Sequence, residues 1–301
     1  DHGTHTCGTI GSAGIIDPLA KGMAPEITVY AWNFNIQSNG LDVPSERLIS
    51  LDEDGIELTS NSWGYTVSSC PNVMPYNTED HNDDLITNWY PYFLYVTSAG
   101  NTQSKCPDGF STSSKNIKNA LVVGAVDQSD RMSSFSSFGP ANDGRLLPNI
   151  CGDGVDVLST FFDNGYGIYS GTSMSTPGVA GTMALIYQRY KDTHGGKRPD
   201  AAFLRALACN TATDQGNPGP DYKYGYGEIN GVKAVEAMEK NYYYSDSVGQ
   251  DDLKARSITV PNGAVALKVM LAWNDPAGTV GSSRALVNDL DLSLSHDGDT
   301  I

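Results

Sequence analysis

Apolar positions along the chain fall into two periods. Short runs rich in β-branched and aromatic residues at 27–34, 57–62, 92–98 and 120–126 read as strands. Residues 45–52, 80–89, 173–191, 199–209 and 231–240 carry apolar residues at helical spacing and read as helices. Strands alternating with helices predict an α/β fold with a parallel sheet covered on both faces. In such sheets ligands bind beyond the carboxyl ends of the strands, where the segments ending at Ser62 and Asn101 stop. Residues 65–84, rich in Asn, Asp, Pro and Ser, read as a surface insertion beside that cleft, and 242–252 as a linker. After the linker the period changes. Residues 257–260, 265–273 and 286–295 alternate apolar and polar positions without an intervening helix, which predicts antiparallel β structure.

Chemistry enters at the start of the helix at 173. The string Gly171-Thr172-Ser173-Met174-Ser175-Thr176-Pro177-Gly178-Val179-Ala180-Gly181 places a hydroxyl in a first helical turn. There the unpaired backbone N–H groups and the helix dipole favour a developing negative charge. Thr172 and Ser173 are N-cap residue types, and Pro177 suits an early turn, where its missing N–H costs little. A hydroxyl attacks a carbonyl only when a base takes its proton and donors meet the oxyanion. The segment Asp1-His2-Gly3-Thr4-His5-Thr6-Cys7-Gly8 supplies imidazoles, and Ser98-Ala99-Gly100-Asn101 supplies a carboxamide. His2 and His5 lack the glutamate and third ligand of a zinc pair. His5 reads as a core histidine and His2 as a general base, so no metal site is predicted.

These segments, in the order histidine, asparagine, serine, resemble the subtilisin-like serine proteases (subtilases). That order, and an asparagine as oxyanion donor, are established for subtilisin itself. Position by position, the resemblance makes His2 the base, Ser173 the nucleophile and Asn101 the side-chain oxyanion donor. Ser62, Trp63 and Gly64 resemble the edge that pairs with extended substrate, with Ser98, Ala99 and Gly100 as the facing edge. Lys21-Gly22-Met23-Ala24-Pro25, the stretch Ser133-Ser134-Phe135-Ser136-Ser137-Phe138-Gly139-Pro140 and the stretch Gly225-Tyr226-Gly227-Glu228-Ile229-Asn230 match further family segments. The implied architecture is a three-layer subtilisin-like fold with a parallel central sheet over residues 1–243. Residues 253–301, including the run from Leu271 to Pro276, resemble the start of an antiparallel β-sandwich found appended to some subtilases.

The departures set further expectations. The family's acid lies on a strand upstream of the histidine, in an Asp-Thr/Ser-Gly motif, and this sequence begins after that point. Asp1 adjoins His2 along the backbone and is poorly placed to orient its ring. The expectation is a fragment of a longer precursor, inactive alone, since losing the acid costs about four orders of magnitude. Gly178 stands where many relatives carry histidine, and Cys151-Gly152-Asp153-Gly154 where many carry Ala-Pro-Gly.

Charge and cysteines refine the picture. A net charge of −16, from 19 basic and 35 acidic residues, argues against nucleic acid, which wants a basic stripe. No apolar run is long enough to span a membrane. Of five cysteines, Cys70 and Cys106 follow strands expected side by side, so a disulfide between them fits, with secretion or a lumenal location. Cys7, Cys151 and Cys209 read as buried small residues. Asn274, Asp275, Asn288, Asp289 and Asp291 carry hard oxygen ligands of the kind calcium takes, but read first as turn and strand-face polar residues. No cofactor is required for the expected chemistry, and the expected partners are protein or peptide substrates. The alternatives are a catalytically inactive scaffold of the same fold and an α/β-hydrolase esterase. The esterase needs Gly-x-Ser-x-Gly, which the residues after Ser173 do not provide.

Overall fold

A computed structural model describes residues 1–32, 43–64, 70, 74–106, 109–111, 115–296 and 299–300. Helix α1 (His2–Gly11) opens the chain, followed by α2 (Val43–Asp52), β1 (Leu58–Asn61), α3 (Thr78–Trp89), β2 (Leu94–Ser98) and β3 (Ala120–Val126). Next come β4 (Ile150–Asp153), a hairpin of β5 (Val157–Thr160) and β6 (Tyr166–Tyr169), and then α4 (Thr172–Thr193), α5 (Ala201–Thr211) and α6 (Gly231–Glu239). Strands β1, β2, β3 and β4 pair in that order, all parallel.

Side-chain alternation along the strands builds three layers. Leu94, Val96, Leu121, Val123 and Ile150 pack against α4, α5 and α6, with Val179, Met183 and Leu204 in the same cluster. Phe93, Tyr95, Ala120 and Val122 point the other way, against Leu51 of α2 and Ile86 of α3. Both faces are covered, which is why β2 and β3 read as unbroken apolar runs.

Four expectations are corrected. Residues 27–32 form no ladder, and 33–34 lie outside the described residues. The run of β-branched and aromatic residues is real, but a strand exists only against a partner, and no described residue pairs with it. Residues 65–84 are not simply a surface insertion. Residues 65–69 and 71–73 lie outside the described residues, yet Tyr76, Asp80, Asp83 and Asp84 are buried. Asn77 caps α3 by accepting from Glu79 N and Asp80 N, while Asp80 Oδ2 accepts from Asn77 N at 3.0 Å. Third, the hairpin β5–β6 lies where no element was expected.

The fourth concerns the C-terminal region. Residues 257–260, 265–273 and 286–294 join no ladder among the described residues, and only Ser295–His296 pairs, with Asp299–Thr300. Val265, Leu267, Val269 and Leu271 are exposed, so among the described residues no facing sheet buries this apolar row. What holds the region is mostly polar, beside Met270 packed against the core and the buried Ala285. Asp275 N donates to Asn119 Oδ1 and Asp275 O accepts from Asn119 Nδ2, both at 2.8 Å. Asp275 Oδ2 pairs with Lys118 Nζ at 2.6 Å, and Arg205 donates to Trp273 O and Asn274 Oδ1 at 2.8 and 2.7 Å.

Candidate active site

The two histidines of α1 have opposite surroundings. His5 is fully buried, with Nε2 3.0 Å from Val157 O and 3.1 Å from Gly167 O, and its ring stacks on Tyr169. Two carbonyls at one nitrogen require that nitrogen to carry the proton. Ser159 Oγ and Thr160 Oγ1 donate to the carbonyls of His5 and Thr4. A Cβ at Gly8 would lie 2.0 Å from Thr160 Oγ1, so only glycine lets the helix approach β5 this closely. His5 therefore fastens α1 to the hairpin and leaves His2, one turn earlier, exposed. Desolvation lowers the His2 pKa, followed by the charge of His5, which keeps the imidazole neutral near pH 7.

Helix α4 is capped by Gly171, one residue earlier than the N-cap types at 172 and 173 suggest. Thr172 is thereby inside the helix, and its side chain reaches sideways. Thr172 N and Thr172 Oγ1 both donate to Asn101 Oδ1 at 2.9 Å, and Thr172 Oγ1 accepts from Gly100 N at 3.2 Å. Two donors on Oδ1 fix the amide orientation and leave Nδ2 as the outward, donating end. Asn101 itself is exposed.

Pro177 sits six residues into α4, deeper than an early-turn proline. Lacking an N–H, it cannot bond the carbonyl four residues back, which belongs to Ser173. Ser62 fills that gap: Ser62 Oγ donates to Ser173 O at 3.0 Å. In return Ser173 Oγ donates to Ser62 O at 3.3 Å. Among the described residues no hydrogen bond joins Ser173 to His2, although α1 lies against α4.

The remaining sequence-predicted residues divide. Trp63 continues from β1, with its ring face 3.6 Å from Lys115 Nζ and its indole N–H donating to Asn61 Oδ1 at 3.4 Å, while Gly64 is exposed. Ser98 and Ala99 are buried at the end of β2, and Ala99 N donates to Val123 O at 2.9 Å. Gly100 is engaged on both sides, through Thr172 and through Ser137 N, which donates to Gly100 O at 2.9 Å. The contact of Thr172 with Asn101 was not expected from the sequence, because a threonine at the start of a helix looks like a cap.

Cys70 and Cys106 form a disulfide, while Cys151 and Cys209 are buried and Cys7 is half-buried. Among the described residues no group of three His, Cys, Asp or Glu side chains could hold a metal ion. Of the calcium-type oxygens, Asp275 is committed to Lys118, Asn274 to Arg205 and Asp289 to Arg284.

The site thus joins a hydroxyl in the first turn of a helix, a pinned carboxamide beside it and a parallel three-layer α/β frame. The subtilase family profile matches residues 1–227, and the chain belongs to that family. It is 30% identical over 238 residues to the thermophilic serine proteinase of Bacillus sp. (strain AK1), covering 78% of this chain and 52% of that relative. It is 31% identical over 241 residues to subtilisin BL of Lederbergia lenta, covering 78% of this chain and 77% of that protein. The chain thus spans about half the length of several curated relatives it matches. The self-cleaved protease domain of PatA shares the fold, with a TM-score of 0.59 and 21% identity over 79% of this chain and 83% of that one. Among the described residues no helix is long and apolar enough to cross a membrane.

Proposed function

We propose that the chain is the catalytic part of a serine endopeptidase. The observation that carries this reading is the nucleophile's setting: Ser173 in the first turn of α4, next to Asn101 with Oδ1 pinned by Thr172. His2 takes the Ser173 Oγ proton as the oxygen attacks the substrate carbonyl. Asn101 Nδ2 and the Ser173 N–H, one of the helix's first unpaired amides, hold the oxyanion. Collapse releases the amine, protonated by His2, and water then cleaves the acyl-enzyme. Protein groups alone supply this chemistry. Substrate lies extended along Ser62–Gly64 through main-chain bonds. The acid that orients His2 comes from an Asp-Thr/Ser-Gly motif in a preceding segment, residues 253–301 open a second domain, and the disulfide suits a secreted or lumenal enzyme.

One observation favours a second reading, an inactive scaffold: the Ser173 hydroxyl rests on Ser62 O instead of on His2. A fluorophosphonate probe on the full-length protein separates the two. The expected result is labelling at Ser173 that Ser173→Ala abolishes, with Asn101→Ala lowering turnover by about 10²–10³. A folded full-length protein that takes no label is the scaffold.

A further inference from the structure

The serine-rich stretch at 133–140 has no part in the chemistry above, yet Ser133, Ser136 and Ser137 are buried. The hydroxyls of Ser136 and Ser137 are matched by partners, while Ser133 Oγ finds none among the described residues, and the partners of Ser137 lie on either side of Asn101. Ser133 N donates to Ala125 O and Ser136 Oγ accepts from Ala125 N, both at 3.0 Å, which ties the stretch to the end of β3. From that anchorage Ser137 reaches both peptide units flanking Asn101. Its N–H donates to Gly100 O at 2.9 Å, and its Oγ accepts from Thr102 N at 3.1 Å. The same hydroxyl meets Thr102 Oγ1 at 3.0 Å and Ser111 Oγ at 3.3 Å, and Thr102 and Ser111 bond each other. Ser111 is held in turn through its N–H on Gln103 Oε1 at 3.1 Å.

We infer that Ser137 is a positioning residue for the Asn101 carboxamide: it clamps the backbone on both sides of Asn101 while Thr172 fixes the side-chain oxygen. The inference rests on the oxyanion role proposed for Asn101. A donor stabilises the transition state only if it already stands where charge develops, so a clamp on its backbone acts on turnover more than on binding. All three hydroxyls are neutral and enclosed, so the clamp holds across the pH range in which His2 titrates.

A double-mutant cycle in the full-length enzyme tests this. Ser137→Ala is expected to lower kcat about tenfold, a part of the 10²–10³ expected for losing the donor itself, with KM within about twofold. In an Asn101→Ala background the same substitution is expected to change kcat less than about twofold, because nothing remains to be positioned. If Ser137→Ala does not fold, Ser137→Cys keeps the side-chain shape, slightly enlarged, with a weaker acceptor and carries the same cycle. An equal fall in both backgrounds, a fall expressed in KM alone, or no fall overturns the inference and leaves the oxyanion assignment standing. An Asn101→Ala enzyme with undiminished kcat overturns the assignment, and the inference with it.

Discussion

Two regions of the molecule are held by different forces. Among the described residues the contacts that fix Ser173 and Asn101 are neutral: Thr172 on Asn101, Ser62 on Ser173, and Ser137 on the peptide units beside Asn101. On the flank formed by α3 the contacts are charged and buried. Asp83 pairs with Arg47, Glu79 with Lys115 at 2.7 Å, and Lys118 with Asp275 at 2.6 Å. Asp84 accepts from Lys118 N and Asn119 N at 3.0 Å and from Tyr76 Oη at 2.7 Å. Neutral bonds give geometry that ignores pH and salt, which suits a site whose donors must stand still. Buried charges give contacts that are strong only while both partners remain. The charged flank is also where residues 273–288 attach, so it binds the distal part of the chain to the α/β layers.

The largest expected effect tests the charged side of that contrast. Asp275→Ala leaves Lys118 Nζ, only 3% exposed, without its carboxylate, and removes the acceptor for Val287 N and Asn288 N. Truncating one member of a buried pair costs about 3–5 kcal/mol. Denaturant unfolding should show that loss, and limited proteolysis should cut near residues 273–288 first. A loss below about 1 kcal/mol would mean that the flank is held as the rim is, without reliance on charge.

The next effect is pH dependence confined to one region. Burial raises Asp80 to about 7 and Asp84 to about 6, against an ordinary 3.8. The folded state then keeps protons that the unfolded chain has released. The stability gained is complete below about pH 4 and is lost as pH rises through about 6 and 7, on the order of a few kcal/mol. Urea midpoints should fall between pH 5 and pH 8, and Asp80→Asn should flatten that fall. An unchanged slope in Asp80→Asn removes this residue from the pH response.

The same contrast explains what the sequence disclosed. The helix that carries Ser173 was legible because glycine, small residues and a proline sit at fixed spacing, and local chemistry sets a helix start. β2 and β3 were legible because burial on both faces leaves an unbroken apolar run. The start of α3 was read as part of a surface insertion because its carboxylates find Arg47, Lys115 and the amides of Lys118 and Asn119 only after the chain folds. Residues 27–32 carry strand-type residues, and 257–260 and 265–273 strand alternation, without forming strands, since pairing is a property of a neighbour and not of the segment. The hairpin β5–β6 carried a readable signal that went unused: Asp163 and Asn164, both at positive φ, precede Gly165. Thr172 was hidden because its partner, Asn101, lies far away in sequence and its helix begins one residue earlier than its type suggests.

The smallest expected effect is the sharpest test of the neutral side. Thr172→Val keeps the backbone N–H on Asn101 Oδ1 and deletes the hydroxyl that donates to the same oxygen and accepts from Gly100 N. With one donor left the carboxamide gains rotational freedom, and Nδ2 spends part of its time off the oxyanion position. Turnover should fall about tenfold, or about 1.4 kcal/mol in the barrier, with KM little changed. Thermal stability should drop by less than the Asp275→Ala loss, and the ratio of mutant to parent kcat should stay flat with pH, because no ionisable group shares the contact. A ratio that varies with pH would show that charge reaches the rim after all, and the division between the two regions would fail at the residue where it matters most for catalysis.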